Sequence, residues 1–457
     1  MKFKRYSTGQ ILFGLIILAA LYLRLYNLSY MEFKGDEAFN SFKALAFARE
    51  GAVPLTSAVS STGINEFPLF IYIIALPFYF TKNPVYAAGF IAVLNTAGVA
   101  LCYYFVKRFY SSSAALIAAA FYAVNPWQIV FSRKIWTQDL LAPFILLFIY
   151  FTYEAVYEDK KRRIIPAMVS LAFVLQLHLS AAYFAFIAAA VIAMYWNRID
   201  KKFLAFGCTL LLLLFLPYTI FQMQNNLVDV HTAVEVSKAS PAFHKQAFFV
   251  PFKHMSTRGF EFLLGEAYTD FISQTAHFKV IDFLAMYLLL TAIIFTLVFD
   301  RRRSWIPLLW LATGTAYLAV NKADPLHDYY FLSFFPLYFI LIGGMADSII
   351  KSSPQTLKRG FYILIIAILA YQFTFTQGYL SYTGENTCLP GDYGTPYAHY
   401  KTAVATSISE LDTLAITSDF ERIHIKSCLC SKCDTRVTEY VIYELHPDYE
   451  PSKRETK

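Results

Sequence analysis

Four polar stretches interrupt an otherwise apolar chain, and their residue types could do acid–base and anion-binding chemistry. The first reads Lys34-Gly35-Asp36-Glu37-Ala38-Phe39-Asn40. A carboxylate such as Asp36 can act as a general base that takes the proton of an attacking hydroxyl. Apolar residues follow at Phe39, Phe42, Leu45 and Ala46 with helical spacing. Asp36 could therefore instead cap a helix, with Glu37 favoured in its first turn. Successive helical residues point about 100° apart, so Asp36 and Glu37 are not expected to share one task.

The second stretch runs from Ser132 through Arg133, Lys134, Ile135, Trp136, Thr137 and Gln138 to Asp139. The guanidinium of Arg133 suits a phosphate, which it can hold with paired hydrogen bonds. The competing accounts are an ion pair between Arg133 and Asp139, or snorkelling of the basic side chains to an interface. His178 lies in the third stretch, Gln176-Leu177-His178-Leu179-Ser180, where a hydrogen bond inside a bundle competes with ligand binding. In the fourth, Asn321 to Tyr330, Lys322 or His327 could complete an anion site, with helix capping as the alternative. His244, Lys253, His254, Arg258, Glu261 and Glu266 fall in a region whose charges a solvated loop carries routinely.

The elements that must position these residues are membrane spans. Of 457 residues, 57% are hydrophobic and only 16% charged, and apolar runs of span length recur. Spans are expected at 11–28, 84–106, 114–131, 140–157, 164–179, 181–197, 203–222, 281–299, 305–320, 329–349 and 360–378. The net charge of +7 sits in short basic clusters between these runs, at Lys107/Arg108, 160–163, Arg198/Lys201/Lys202 and 301–303. By the positive-inside rule this places the N-terminus in the cytoplasm and the C-terminus outside. Nucleic acid is excluded as a partner, because it needs one contiguous basic face. Membrane lipids are the expected surroundings. Residues 67–81 are apolar but too short to cross, and Pro68 and Pro77 fit a helix lying in the outer interface.

The fold class expected is an all-α polytopic membrane protein with about 11 spans, interfacial helices in its first outside loop, and a small C-terminal α/β domain. The transmembrane part covers 1–378, with large outside loops at 29–83 and 223–280, and the extracytoplasmic tail covers 379–457. That tail holds 12 acidic and 8 basic residues among 79, so it belongs in water. A helix is expected at 397–411 and strands at 413–417, 421–426 and 436–445. Cys388, Cys428, Cys430 and Cys433 all lie there, on the oxidising side, and two disulfides are the default reading. Their close spacing leaves metal binding as the alternative.

The first span ending in Gly35-Asp36-Glu37-Ala38, followed by Glu66-Phe67-Pro68-Leu69 opening a short helix, resembles the C-type superfamily of membrane glycosyltransferases. The branch it resembles is that of the protein mannosyltransferases and aminoarabinose transferases. Ser132-Arg133 through Asp139, and Tyr329-Tyr330-Phe331-Leu332 with Pro336, also fit, and the resemblance runs from residue 11 to about 350. It implies inverting transfer of a sugar from a polyprenyl-phosphate donor to a lipid, glycan or protein acceptor on the outer face of the cell membrane. Asp36 would then be the catalytic base, Glu37 would shape the site, and Asp139 would be the acid of the second outside loop. Arg133 would hold the donor phosphate, with Lys134, His178, Lys322 and His327 as further candidates. A divalent metal is compatible with clustered Asp and His residues, but nothing compels one. The sequence has no Trp-Trp-Asp motif and no long insertion for β-trefoil repeats, features that would favour a protein acceptor. The alternative function is a transporter or flippase of a lipid-linked saccharide, although repeated halves with helices broken at mid-membrane would mark one.

Overall fold

The computed structural model describes residues 7–238, 243–300, 304–321, 326–409, 416, 419–430, 433–446 and 449. The described chain is helical, with two isolated β-bridges, Val59 to Asn65 and Leu389 to Gly394. Six described helices are long and apolar enough to cross a bilayer: Thr8–Leu25, Pro84–Phe109, Thr137–Tyr157, Lys279–Phe299, Asp328–Ser352 and Gln355–Glu385. A seventh candidate is bent by 47° between Lys201–Leu214 and Leu216–Gln224, with Pro217 in the first turn of the second piece. Each of the other expected runs also falls on a helix, of 11 to 15 residues: Ser112–Val124, Ile164–Leu177, Phe184–Met194 and Trp305–Ala319. These are shorter than the roughly 20 residues of a straight crossing. Leu15, Leu18, Phe206, Leu212, Ile294 and Val298 stand more than half exposed on outer helix faces, a belt suited to lipid. The chain is a multi-pass membrane protein.

Two arginines lock the bundle near the site. The helix Ser112–Val124 stops at Asn125-Pro126, and Pro126 has no N–H to offer the carbonyl of Tyr122. Arg24, buried in the first helix, supplies the missing donors: Nη2 to Tyr122 O at 3.2 Å and Nη1 to Ala123 O at 3.0 Å. The first helix in turn ends with its own orphan carbonyls. Arg133 meets these, with Nη1 bonding Leu23, Arg24 and Tyr26 O at 3.2, 2.9 and 2.7 Å and Nη2 bonding Asn27 O at 3.1 Å.

The chain then turns through Asn27, in the left-handed region at φ 51°, and enters the helix Gly35–Glu50. Glu37 Oε2 accepts the Lys34 N–H at 3.0 Å, so Glu37 rather than Asp36 satisfies the start of this helix. A short hairpin follows, in which Ser57 and Ala58 pair with Glu66 at 2.8 Å each and fix where Glu66 points. Gly63, at φ 79°, makes the turn. The next helix, Leu69–Phe78, has ten residues, about 15 Å of rise, half of a bilayer core.

The tail departs from the α/β expectation. The expected strands at 421–426 and 436–445 are the helices Phe420–Ser427 and Thr435–Leu445, and the expected helix forms as Tyr397–Ser409. Most of 413–417 lies outside the described residues. The cause is a helical burial pattern that overrides the β-branched composition: Val437, Tyr440 and Val441 share one face and are buried. The Tyr440 ring packs at 5.3 Å from Phe33 and 4.9 Å from Phe42. The four tail cysteines pair as Cys388–Cys430 and Cys428–Cys433.

Candidate active site

Asp36 sits in the second position of the helix Gly35–Glu50 and is exposed, while its neighbour Glu37 is fully buried. The 100° step between them therefore separates a carboxylate facing space from one facing the core. Asp36 lies on the shared wall of two cavities, of about 590 and 630 Å³, together with Trp136 and Tyr329.

The smaller cavity is acidic and polar. Glu66 and His178 line it beside Asn40, Thr137 and Tyr330, and its described wall carries no Lys or Arg. Thr137 Oγ1 donates to Glu66 Oε2 at 3.1 Å, and His178 Nε2 lies 3.6 Å from Glu66 Oε1. Burial pushes the Glu66 carboxyl up to about 8, against the Thr137 hydrogen bond and with the field of Asp36 adding to the rise. At neutral pH Glu66 thus holds a proton and can donate a hydrogen bond. His178 Nδ1 accepts the Ser180 N–H at 3.1 Å and contacts Ser180 Oγ at 2.8 Å, which fixes the ring.

The larger cavity is aromatic and carries charges of both signs. Lys34, Lys134, Lys253 and Arg436 line it with Trp127, Phe131 and Trp136, and its acids are Asp328, Asp392 and Asp434 besides Asp36. Lys134 is 2% exposed, pairs with Glu32, and lies 4.7 Å over the Trp136 ring. Lys34 pairs with Glu32 at 2.6 Å and Asp392 at 3.1 Å. Burial alone would lower the Lys34 pKa, but the carboxylates of Glu32, Glu37 and Asp392 raise it well above its ordinary value. Lys253 bonds Asp328 at 2.7 Å and stands over Trp127 at 5.1 Å. His327 also lines this side, its ring stacked on Tyr329 at 5.2 Å.

Of Asp36, Arg133 and Asp139, which the resemblance would bring to one site, only Asp36 reaches the wall of either cavity. Arg133 is consumed by the carbonyls at the end of the first helix, and burial lowers its pKa to about 10. Asp139 is buried behind the wall, where its charged neighbours are Lys134, Glu37 and Glu32. Its loop is set by Asn95 Nδ2, which bonds Asp139 O at 3.0 Å. No ion pair joins Arg133 to Asp139 among the described residues. Glu37, pushed up to about 8 by burial and the nearby Glu32, belongs to the same buried cluster. Lys322 lies outside the described residues.

Among the wall residues given no role from the sequence are Glu66, Lys34 and Arg436. For Glu66 the signal was its place directly ahead of Phe67-Pro68-Leu69, at the mouth of the short helix. Arg436 gave none, because its neighbours in sequence read as a strand. Among the described residues no cluster of three or more His, Cys, Asp or Glu side chains is placed to hold a metal ion.

Residues 65–221, about a third of the chain, match the family model of the dolichyl-phosphate-mannose-protein mannosyltransferases. The fold superposes on ArnT from Cupriavidus metallidurans bound to undecaprenyl phosphate with a TM-score of 0.60 and 12% identity, over 97% of this chain and 89% of that one. The apo form of the same protein gives 0.57 at 12% identity, over 88% and 80%. The chain carries the fold of the C-type membrane glycosyltransferases. The resemblance read from the short motifs to this superfamily is thereby borne out. The apo oligosaccharyltransferase of Archaeoglobus fulgidus shares the C-type fold more distantly, with a TM-score of 0.50 and 14% identity over 95% of this chain and 61% of that one. No curated protein matches the sequence itself.

Proposed function

We propose that the protein is an inverting glycosyltransferase that moves a sugar from a polyprenyl-phosphate donor to an acceptor hydroxyl at the outer face of the membrane. The observation that carries this reading is the position of Asp36, a solvent-facing carboxylate on the partition between an acidic cavity and one that holds lysines and an arginine. Anion binding favours the side with Lys34, Lys134, Lys253 and Arg436, whose aromatic and apolar walls also suit a lipid-linked group. The acceptor then enters the side lined by Glu66 and His178. Asp36 takes the proton of its hydroxyl as the oxygen attacks the anomeric carbon. The bond from that carbon to the phosphate oxygen breaks on the opposite face, and the phosphate leaves with the electron pair, its charge met by the cations. Protonated Glu66 donates a hydrogen bond to a sugar or acceptor hydroxyl.

Two further points support the reading. One protein of the same fold was solved with undecaprenyl phosphate bound. The other is charge sorting: Arg108, Lys160 and Arg163 pair with Glu158 and Glu154 at the far end of the helix Pro84–Phe109 from the site. This supports a cytoplasmic N-terminus, with the site and the tail outside. In domain terms, 1–378 would be the transferase unit and 379–457 a small unit docked on its outer face.

The test incubates the purified protein in lipid vesicles with a panel of radiolabelled polyprenyl-phosphate sugars and with lipid, glycan and peptide acceptors. Transfer to one acceptor class is expected, and Asp36→Asn should lose it while still binding donor. Movement of intact donor across the bilayer with no transfer would replace this reading with the flippase.

A further inference from the structure

Asp229 lines neither of the two cavities, yet it is buried, in the first turn of the outer-loop helix Val228–Lys238. Both of its oxygens are engaged. Oδ1 accepts the Asn65 N–H at 3.0 Å and Asn65 Nδ2 at 2.9 Å, and Oδ2 accepts the Tyr218 O–H at 2.7 Å and the Gln222 amide. Asn65 is the residue before Glu66. We propose that Asp229 is a positioning residue for Glu66: by fixing both the backbone and the side chain of Asn65, it keeps the Glu66 carboxyl seated in the acidic cavity. This rests on the reading above, in which that cavity takes the acceptor, and adds the residue that holds its hydrogen-bond donor in place.

The hairpin that carries Glu66 needs such anchors. It is short and two-stranded, with the single bridge Val59 to Asn65, and a hairpin of that kind is marginal on its own. Lys43 Nζ ties down one strand, bonding Thr56 O at 3.3 Å and Ser57 O at 3.0 Å. Asp229 ties down the other at Asn65. With both strands held, the pairing of Glu66 with Ser57 and Ala58 has a fixed frame, and the carboxyl meets Thr137 Oγ1 at 3.1 Å. The helix that starts at Asp229 runs on to the same cavity. A Cβ at Gly63, in the hairpin turn, would stand 3.5 Å from Thr232 Cγ2, and Val236 joins the cavity wall.

The backbone is strained to aim Asp229 at the hairpin. Tyr218 and Gln222 lie on the helix Leu216–Gln224, and the next helix must fold straight back over them. The reversal uses two successive left-handed residues, Asn226 at φ 52° and Leu227 at φ 58°. Asn tolerates that region, but in Leu the Cβ crowds the following carbonyl. Strain of this kind persists only where the surroundings over-determine it. Here they do: Leu227 N–H bonds Gln222 O at 2.7 Å, and Asp229 N–H bonds Gln222 Oε1 at 3.2 Å. The same glutamine thus fixes the reversal through its backbone and the carboxylate through its side chain, which turns Asp229 onto Asn65 rather than into solvent.

The experiment has two arms on the full-length protein in detergent. The first, melting temperature against pH, needs no acceptor. Glu66→Gln removes the titration of Glu66, while its titratable neighbours Asp36 and His178 stay in place. Its effect on the slope between about pH 5 and pH 8 should be about halved or less on an Asp229→Ala background, because a Glu66 freed from its buried seat ionises nearer its ordinary value. Asp229→Asn keeps one oxygen to accept from Asn65 and should restore part of the effect; it also carries the comparison if Asp229→Ala does not fold. An equal effect of Glu66→Gln on all backgrounds overturns the proposal. The second arm is transfer to whichever acceptor of the panel wild type uses. Asp229→Ala should raise the acceptor KM about tenfold, the scale of a displaced hydrogen bond, and leave the donor KM within about twofold. On a Glu66→Ala background the same substitution should add less than about threefold, since its target is gone. Additive effects, or an equal rise in both KM values, overturn the proposal and leave the transferase reading intact. A wild type that transfers to none of the acceptors sinks that reading, while the melting comparison still decides whether Asp229 holds Glu66.

Discussion

The two cavities on either side of Asp36 are near equals in size, and only one of them has lysine and arginine on its described wall. The smaller is walled by groups that give and take protons: Glu66, His178, Thr137 and Tyr330. The larger is walled by fixed cations, each held against a carboxylate. A sugar transfer from a phosphate donor asks for this split. The nucleophile must lose a proton on one side of the sugar while the leaving group keeps its negative charge on the other. The comparison teaches that the partition residue matters most. Among the described residues, Asp36 is the one acid that faces both spaces without being buried.

The largest effect should come from removing that partition charge. Asp36→Asn keeps the shape but cannot take a proton, and general-base catalysis is worth about 10² to 10⁴-fold. Turnover should fall by that factor while both substrates still bind. Unchanged turnover would end the assignment of Asp36 as base and with it the meaning of the partition. Next comes Lys134, the deepest cation. Lys134→Met leaves buried Glu32 to Lys34 alone, so the cost falls below the roughly 3–5 kcal/mol of breaking an isolated buried pair. A fall of several degrees in melting temperature is expected, which detergent-solubilised protein would reveal. Lys253 is shallower, tied to Asp328 at 2.7 Å near the rim. Lys253→Met should raise the donor KM on the order of tenfold and leave the acceptor KM alone. An equal rise in both constants would mean the cavities are not divided between the substrates.

The sequence already carried the bundle, because long apolar runs with sorted basic clusters have few other physical solutions. Asp36 was legible only as a candidate, with helix capping as the competing account, and the structure gives the bond at the helix start to Glu37 instead. Arg133 shows where such reasoning stops. Its type and place both fit a phosphate, but the carbonyls at Leu23, Arg24, Tyr26 and Asn27 needed donors, and that need is visible only once the helix ends are in space. The burial of Asp139 away from both walls was out of reach for the same reason, since burial depth is a property of packing. Arg436 was invisible because it reaches the site from the far end of the chain, on a helix whose β-branched residues read as a strand.

The smallest effect probes the acidic cavity through stability rather than rate. Glu66 is held up to about 8 by burial, against about 4.3 for a free glutamate. Between those values the folded protein keeps a proton that the unfolded chain has released. Stability contributed this way is fully present below the unfolded value and is lost as pH rises through the folded one. Wild type should therefore lose melting temperature relative to Glu66→Gln, which cannot ionise, from about pH 5 to about pH 8, while His254, lowered by burial, adds an opposite slope common to both proteins. Glu37, also pushed up to about 8, keeps part of the slope in that variant, so the curves should diverge rather than one becoming flat. Lys43, lowered to about 8 by burial, acts with the opposite sign and only above that pH, so it does not blur the window. Parallel curves would show that Glu66 ionises in the fold as it does in the open chain. The smaller cavity would then hold two charged carboxylates instead of a base beside a hydrogen-bond donor, and the contrast between the two sides would rest on the lysines and arginine of the larger one alone.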